Sequence, residues 1–271
     1  MHSLSYLKPW EFSPLMVVSF SLLFLFYARG FRSLEKGYKN YWQLASFYIG
    51  LISIYVVSHT YVDYLSQYMF WVHRFQHLVL HHLAPLLMVL GASELVGKGW
   101  PEGWPKWSSI PFIIKWPCTC LYRFIQHPVI APVVFVGLIY LWLIPDIHFA
   151  AMLSKKLYHV MNWSMLIDGF LFWWLVLGPE WRSEAKGFKI RIVMMLVVVV
   201  PQQLLGAYIT LTDSIIYDVY DVCGRAWPIS PMEDQIYGGI VTWIPASMMS
   251  VLGLVLVLRR RLNYQKSKDN E

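Results

Sequence analysis

Charged side chains are scarce in this chain: they make up 14% of its 271 residues, against 57% hydrophobic and 17% aromatic. Soluble domains carry nearer a quarter of charged residues. That excludes a water-exposed shell around one core and places the bulk of the chain in lipid. Cysteine is scarce as well, and three thiols build no disulfide framework. Repeats and low-complexity segments are missing. A cleavable leader is not expected, because Pro9, Glu11 and Pro14 precede the first apolar run without a basic stretch or a small-residue cleavage site. The length fits one domain.

What is present is a series of long apolar runs. Seven approach bilayer length, at residues 13–29, 42–60, 76–97, 129–145, 159–178, 190–211 and 236–258. They are continuously apolar rather than alternating, so helices are expected and a β-barrel is not. The segments 107–127 and 145–158 are shorter and contain proline, and they read as interfacial helices. The predicted fold is all-α: a polytopic bundle over 1–262 with about seven transmembrane helices, followed by a short polar cytoplasmic tail at 263–271.

Orientation follows from the basic residues. Seventeen of the 22 Lys and Arg fall in 28–40, 98–128, 179–191 and the tail; only Lys8, Arg74, Lys155, Lys156 and Arg225 fall in the alternate loops. Cytoplasmic loops carry the basic excess. The N-terminus is therefore expected outside and the C-terminus in the cytoplasm. The net charge of +6 is an orientation signal, and nucleic acid is not an expected partner. Trp100, Trp104 and Trp107 suggest a loop lying at the headgroups.

On this topology eight of the nine histidines gather at the outer side. His59 ends the second helix. His73, His77, His81 and His82 open the third, and His159 opens the fifth. His148 lies in an outer loop and His2 at the N-terminus, while His127 alone is cytoplasmic. Residues four apart share a helix face, so His73, His77 and His81 are expected to line one stripe, with His82 turned about 100° away. Imidazole suits copper, zinc or iron, and paired imidazoles one turn apart can chelate one ion. His148 and His2, taken singly, read as ordinary interfacial polar residues. Asp63 lies one turn past His59, and Asp234 opens the seventh helix. Both are candidates to orient a ligating ring or to rim the site, and Asp234 reads equally as a cap or first-turn carboxylate of its helix. The expected geometry is a single cavity in which His59, His73, His77 and His159 converge. Asp168 is either a structural partner or a carboxylate orienting a histidine. Met69, Met152, Met161, Met165 and Met232 are soft enough for Cu(I) but read first as packing residues. Cys118-x-Cys120 falls on the cytoplasmic side and is a weak metal signal.

The run His73-Arg-Phe-Gln-His77-Leu-Val-Leu-His81-His82-Leu-Ala-Pro85 resembles the third-helix motif of the CtaG family of cytochrome c oxidase assembly factors. Gly169-Phe-Leu-Phe-Trp173-Trp174 is similar to its fifth-helix segment. Asp234-Gln235-Ile-Tyr-Gly238-Gly239-Ile-Val-Thr-Trp243-Ile-Pro245 is similar to its last-helix motif. The likeness covers roughly residues 45 to 258. It implies a multi-pass protein of the bacterial inner membrane, not an enzyme, that binds copper as Cu(I) and delivers it at the outer face. It further implies haem–copper oxidase subunits and a periplasmic copper donor as partners, beside membrane lipid. By position, His73 and His77 are the family's paired histidines. Where the family often has a second histidine before the fifth-helix stretch, this chain has Asn162, with His159 one turn earlier. The resemblance leaves open whether His159 substitutes for it.

Two other readings use the same residues. Histidine pairs at this spacing resemble the boxes of membrane di-iron desaturases, but those need several boxes and this chain has one dense cluster. Haem ligation needs two rings from different helices, since neighbours on one face cannot bracket a haem. A metal-free structural partner of the oxidase is the bland alternative.

Overall fold

The structure is a computed structural model and describes residues 8–34, 39–97, 112–178 and 185–269. Among these, every extended element is helical. In chain order they are α1 (Pro14–Ser33), α2 (Tyr41–His59), α3 (Tyr61–Tyr68), α4 (Phe70–His77), a π-helical turn (Leu78–Leu83), α5 (Ala84–Gly97), α6 (Phe112–Ile125), α7 (Ile130–Leu143), α8 (Pro145–Leu153), α9 (Lys155–Leu177), α10 (Ala185–Leu211), α11 (Val219–Cys223) and α12 (Pro231–Asp269). Helix starts follow capping chemistry. The side chains of Ser13, Asn40, Thr60 and Ser154 accept the first free N–H groups of α1, α2, α3 and α9. Pro14 and Pro145 occupy first-turn positions, where a missing N–H costs nothing.

Six helical passes are long and apolar enough to span a bilayer, and α6 with α7 makes a seventh, bent by 80°. The expected 129–145 span is the short one. With 14 residues, α7 reaches about 21 Å, less than a hydrocarbon core of about 30 Å. It nevertheless joins the two ends of the bundle. Near its start Gln126 donates to the Leu171 carbonyl late in α9, and at its end the Leu143 carbonyl accepts from Tyr217. The third pass begins at Phe70 rather than 76, and α9 at Lys155 rather than 159. Ser154 splits the expected 145–158 segment by capping α9. The last helix runs on to Asp269, through the stretch expected as a polar tail.

Contacts tie the helix ends into one common face. Pro9 bridges to Thr60, Lys155 pairs with Glu11 at 2.6 Å, and Asp234 bonds the start of α4. The end of α2 and the starts of α1, α4, α9 and α12 therefore lie together, and α8 and α11 lie beside them. This is the end that holds the histidines. Arg29, Arg32, Arg123, Lys189 and Arg259 fall at the opposite helix ends. The third pass and α9 form the centre, with 67% and 61% of their best apolar windows buried, against 17% for α1. Those two central passes carry the candidate site.

Two close approaches fix their packing. A Cβ on Gly169 of α9 would overlap the His81 carbonyl in the π-turn, and one on Gly238 of α12 would overlap the Phe70 ring. Both glycines belong to the motifs singled out in the sequence.

Candidate functional site

The heart of the site is a group of buried imidazoles. His73 and His77, one turn apart on α4, have ring centroids 4.3 Å apart. The ring of His148, from α8, stands 5.2 Å from His73. All three are at most 1% exposed. Neither ring nitrogen of His73 has a hydrogen-bond partner. Buried polar atoms are nearly always paired, and leaving one unpaired costs about 1–3 kcal/mol. His148, read from sequence as a lone interfacial residue, bonds the Trp142 carbonyl through Nδ1 at 2.9 Å and the Tyr220 hydroxyl through Nε2 at 3.0 Å. Burial lowers its pKa to about 4, which keeps the ring neutral at neutral pH. The sequence placed it at the histidine end but did not pair it with His73, because it comes from a separate helix.

A guanidinium stands beside these rings. Arg74 is 5% exposed. It donates from Nε to the Thr242 hydroxyl at 2.9 Å, and its Nη1 lies 3.3 Å from His77 Nδ1. On its other edge, His77 Nε2 lies 3.0 Å from the Asn162 side-chain oxygen.

The stripe expected of His73, His77 and His81 is broken by the π-turn, whose i→i+5 spacing adds a residue and rotates the helix beyond it. His81 points to Asp168 on α9, at 3.0 Å, and stacks on Phe135 with ring centroids 4.0 Å apart. Asp168 thus bonds a histidine across two helices, an arrangement that fits both of its expected roles. His82 packs edge-on to His81. A small cavity of about 10 Å³, lined among others by Arg74, His77, His81 and Met165, lies between the two levels. It is about the size of one water.

The remaining candidates occupy a separate vestibule. His59, Asp63, His159 and Asn162 line a pocket of about 520 Å³ between α1, α2 and α9. The expected single cavity is therefore divided. Between the vestibule and the imidazoles stands the Tyr158 phenol, which bonds Ser66, Asp63 and Gln76 at 2.7–3.0 Å and whose ring centroid is 6.1 Å from that of His73. Asn162 lines the vestibule and also bonds His77. His159 is exposed in the vestibule, so Asn162, rather than His159, reaches the paired histidines. Asp63 orients no histidine. It accepts from Tyr158 and Gln76, and burial raises its pKa while those two bonds pull it back down.

Asp234 is a first-turn carboxylate of α12, one of its readings from sequence, and it also reaches a second helix. Its carboxylate accepts the backbone N–H groups of Phe70 and Trp71 at 3.0 and 2.9 Å, capping α4 from another helix where Met69 supplies no cap. Arg225 steadies it at 3.2 Å. The rest of the last-helix motif supports the same helix. Gln235 pins the 214–216 loop through Ser214 and Ile216, Gly238 admits Phe70, and Thr242 holds Arg74. The motif thus sets the position of α4 and of the histidines on it.

Met69 and Met161 are core residues, as is Met165, which also lines the small cavity. Cys118, Cys120 and Cys223 are exposed. His127 caps the α6–α7 turn by accepting from Val129 N–H. His2 and Trp100, Trp104 and Trp107 lie outside the described residues. Among the described residues, no three His, Cys, Asp or Glu side chains form a ready-made metal site.

Comparison with known proteins bears on this arrangement. The profile of the family described as cytochrome c oxidase caa3 assembly factor, CtaG, matches residues 25–263. An uncharacterised protein of Mycobacterium leprae (strain TN) is 24% identical over 267 residues, which is 92% of this chain and 39% of that protein. One of Mycobacterium tuberculosis (strain CDC 1551 / Oshkosh) is 24% identical over 269 residues, 93% of this chain and 39% of that protein. The chain thus spans about two-fifths of the length of these relatives. No solved structure matches it.

Proposed function

Because the chain belongs to the cytochrome c oxidase caa3 assembly factor family, we propose that it carries Cu(I) to a haem–copper oxidase from the outer face of the bacterial inner membrane, without catalysing a reaction. The observation that carries this reading is His73: a fully buried imidazole with both nitrogens unpaired, beside two further imidazoles. Such an arrangement is costly in a membrane bundle and marks a functional site.

Arg74 favours a monovalent ion. At an effective dielectric near 20, a unit charge about 6 Å from the guanidinium is repelled by roughly 3 kcal/mol, and a divalent ion by twice that. Zn(II), Fe(II) and Cu(II) therefore suffer more than Cu(I). The same repulsion weakens retention, as delivery requires. It also weighs against the di-iron reading, which needs two multivalent ions in this space. The vestibule opens at the histidine end with His59 and His159 on its walls, and Asn162, on its lining, bonds His77. A periplasmic copper donor would meet the chain there, while membrane lipid covers the apolar flanks of α1 and α2. The outer placement of this end rests on the basic excess at the opposite one.

The test is complementation. In cells lacking the chain, a caa3-type oxidase should accumulate with haem but little copper. The wild-type gene should restore copper and activity, and a His73→Ala variant that accumulates normally should not. Full copper loading of the oxidase with His73→Ala would overturn the proposal.

A further inference from the structure

We propose that His148 and His73 are the two ligands of the ion, with the Tyr220 hydroxyl as the cap that copper displaces; this rests on the copper-carrying reading above. The argument is one of tautomers. A carbonyl only accepts, so the His148 Nδ1 that faces the Trp142 oxygen at 2.9 Å carries the proton. His148 Nε2 then presents its lone pair, and the Tyr220 O–H at 3.0 Å donates to it. A ring held through one nitrogen by a backbone carbonyl, with its other lone pair aimed at a ligand position, is how proteins prepare a metal-binding histidine.

His77 is in the opposite state. A guanidinium only donates, so Arg74 takes the Nδ1 lone pair and the proton sits on Nε2, where the Asn162 oxygen accepts it. Ligation by His77 would require Arg74 to leave. His73 has no such restriction, since nothing occupies either of its nitrogens. Of the three clustered imidazoles, His73 has an unoccupied nitrogen, and His148 Nε2 has a lone pair held only by the Tyr220 hydroxyl. Their ring centroids are 5.2 Å apart, close enough for one nitrogen of each to share an ion bound at about 2 Å. Two imidazoles suit Cu(I), which accepts low coordination, better than Zn(II), which takes four donors. Tyr220 belongs to the short α11 in the loop between α10 and α12, so the cap sits at the histidine end of the bundle.

The experiment measures Cu(I) affinity of the purified, detergent-solubilised protein by competition with a chromogenic Cu(I) chelator. Helical content and thermal midpoint serve as controls. His148→Gln keeps a donor for the Trp142 carbonyl and should bind about 10–100-fold more weakly. Tyr220→Phe keeps the ring packing and removes the competing hydroxyl, so it should bind about fivefold more tightly. A structural role alone predicts no gain for Tyr220→Phe. If His148→Gln binds like the parent while His73→Ala loses copper, the ligand assignment falls and the copper reading stands. If Tyr220→Phe gains nothing, the displaceable cap is wrong. If the parent protein binds no Cu(I), both fall.

Discussion

At the scale of single residues, the site is a compromise between a soft ligand pair and a fixed charge. Arg74 sets the balance, because its guanidinium is buried beside His77 and its Nε bond is to a neutral hydroxyl. Arg74→Gln should keep a donor for Thr242 while removing the charge. Cu(I) should then bind at least about tenfold more tightly, and discrimination against Zn(II) should shrink, given a repulsion of roughly 3 kcal/mol per unit charge. Parallel Cu(I) and Zn(II) competition titrations would show it, and an unchanged Zn(II) affinity would contradict it. His73 and His77 were legible in the sequence because one helix carries both at a four-residue spacing. His148 was not, since its partner lies on another helix and a solitary histidine has no spacing to read. Asp63 and Asp234 were placed at the right end of the bundle, Asp63 on the wall it shares with His59 and His159 and Asp234 in the first turn of its helix, but their hydrogen-bond partners were not legible. Nothing in the sequence shows that Tyr158 and Gln76 occupy Asp63, or that the start of α4 needs a cap from α12.

At the scale of elements, the apolar runs gave the passes their order and number, because lipid-length hydrophobicity is a strong one-dimensional signal. The ends were less legible. The third pass extends to Phe70 through a polar stretch, in which neighbouring helices satisfy the Arg74 and Gln76 side chains. The π-turn was invisible for a similar reason: a six-residue change of hydrogen-bond register leaves no periodicity to detect. That turn sends His81 toward Asp168 and presents its carbonyl to Gly169. Gly169→Ala forces a methyl into that carbonyl and should cost about 1–3 kcal/mol. A lowered thermal midpoint in detergent is the expected reading. A parent-like midpoint would mean that α9 and the π-turn can separate freely, against their close packing at this glycine.

At the scale of the whole molecule, the histidine end and the arginine end are opposite faces of one bundle. Reporters fused after residue 262 should be active in the cytoplasm, and reporters in the 213–233 loop should be active in the periplasm. The reverse pattern would put the imidazoles on the cytoplasmic side and remove the delivery route to the outer face. The family assignment would survive that result, but the function proposed for the site would not. The claim on which everything else depends is that the buried imidazoles hold copper. Its most direct test is the copper content of the purified protein after anaerobic loading with Cu(I) and removal of excess. The account predicts about one copper per chain for the parent and essentially none for a folded His73→Ala variant, since His73 is the ligand common to every arrangement of the site. Equal copper in the two proteins, or none in the parent, would contradict it.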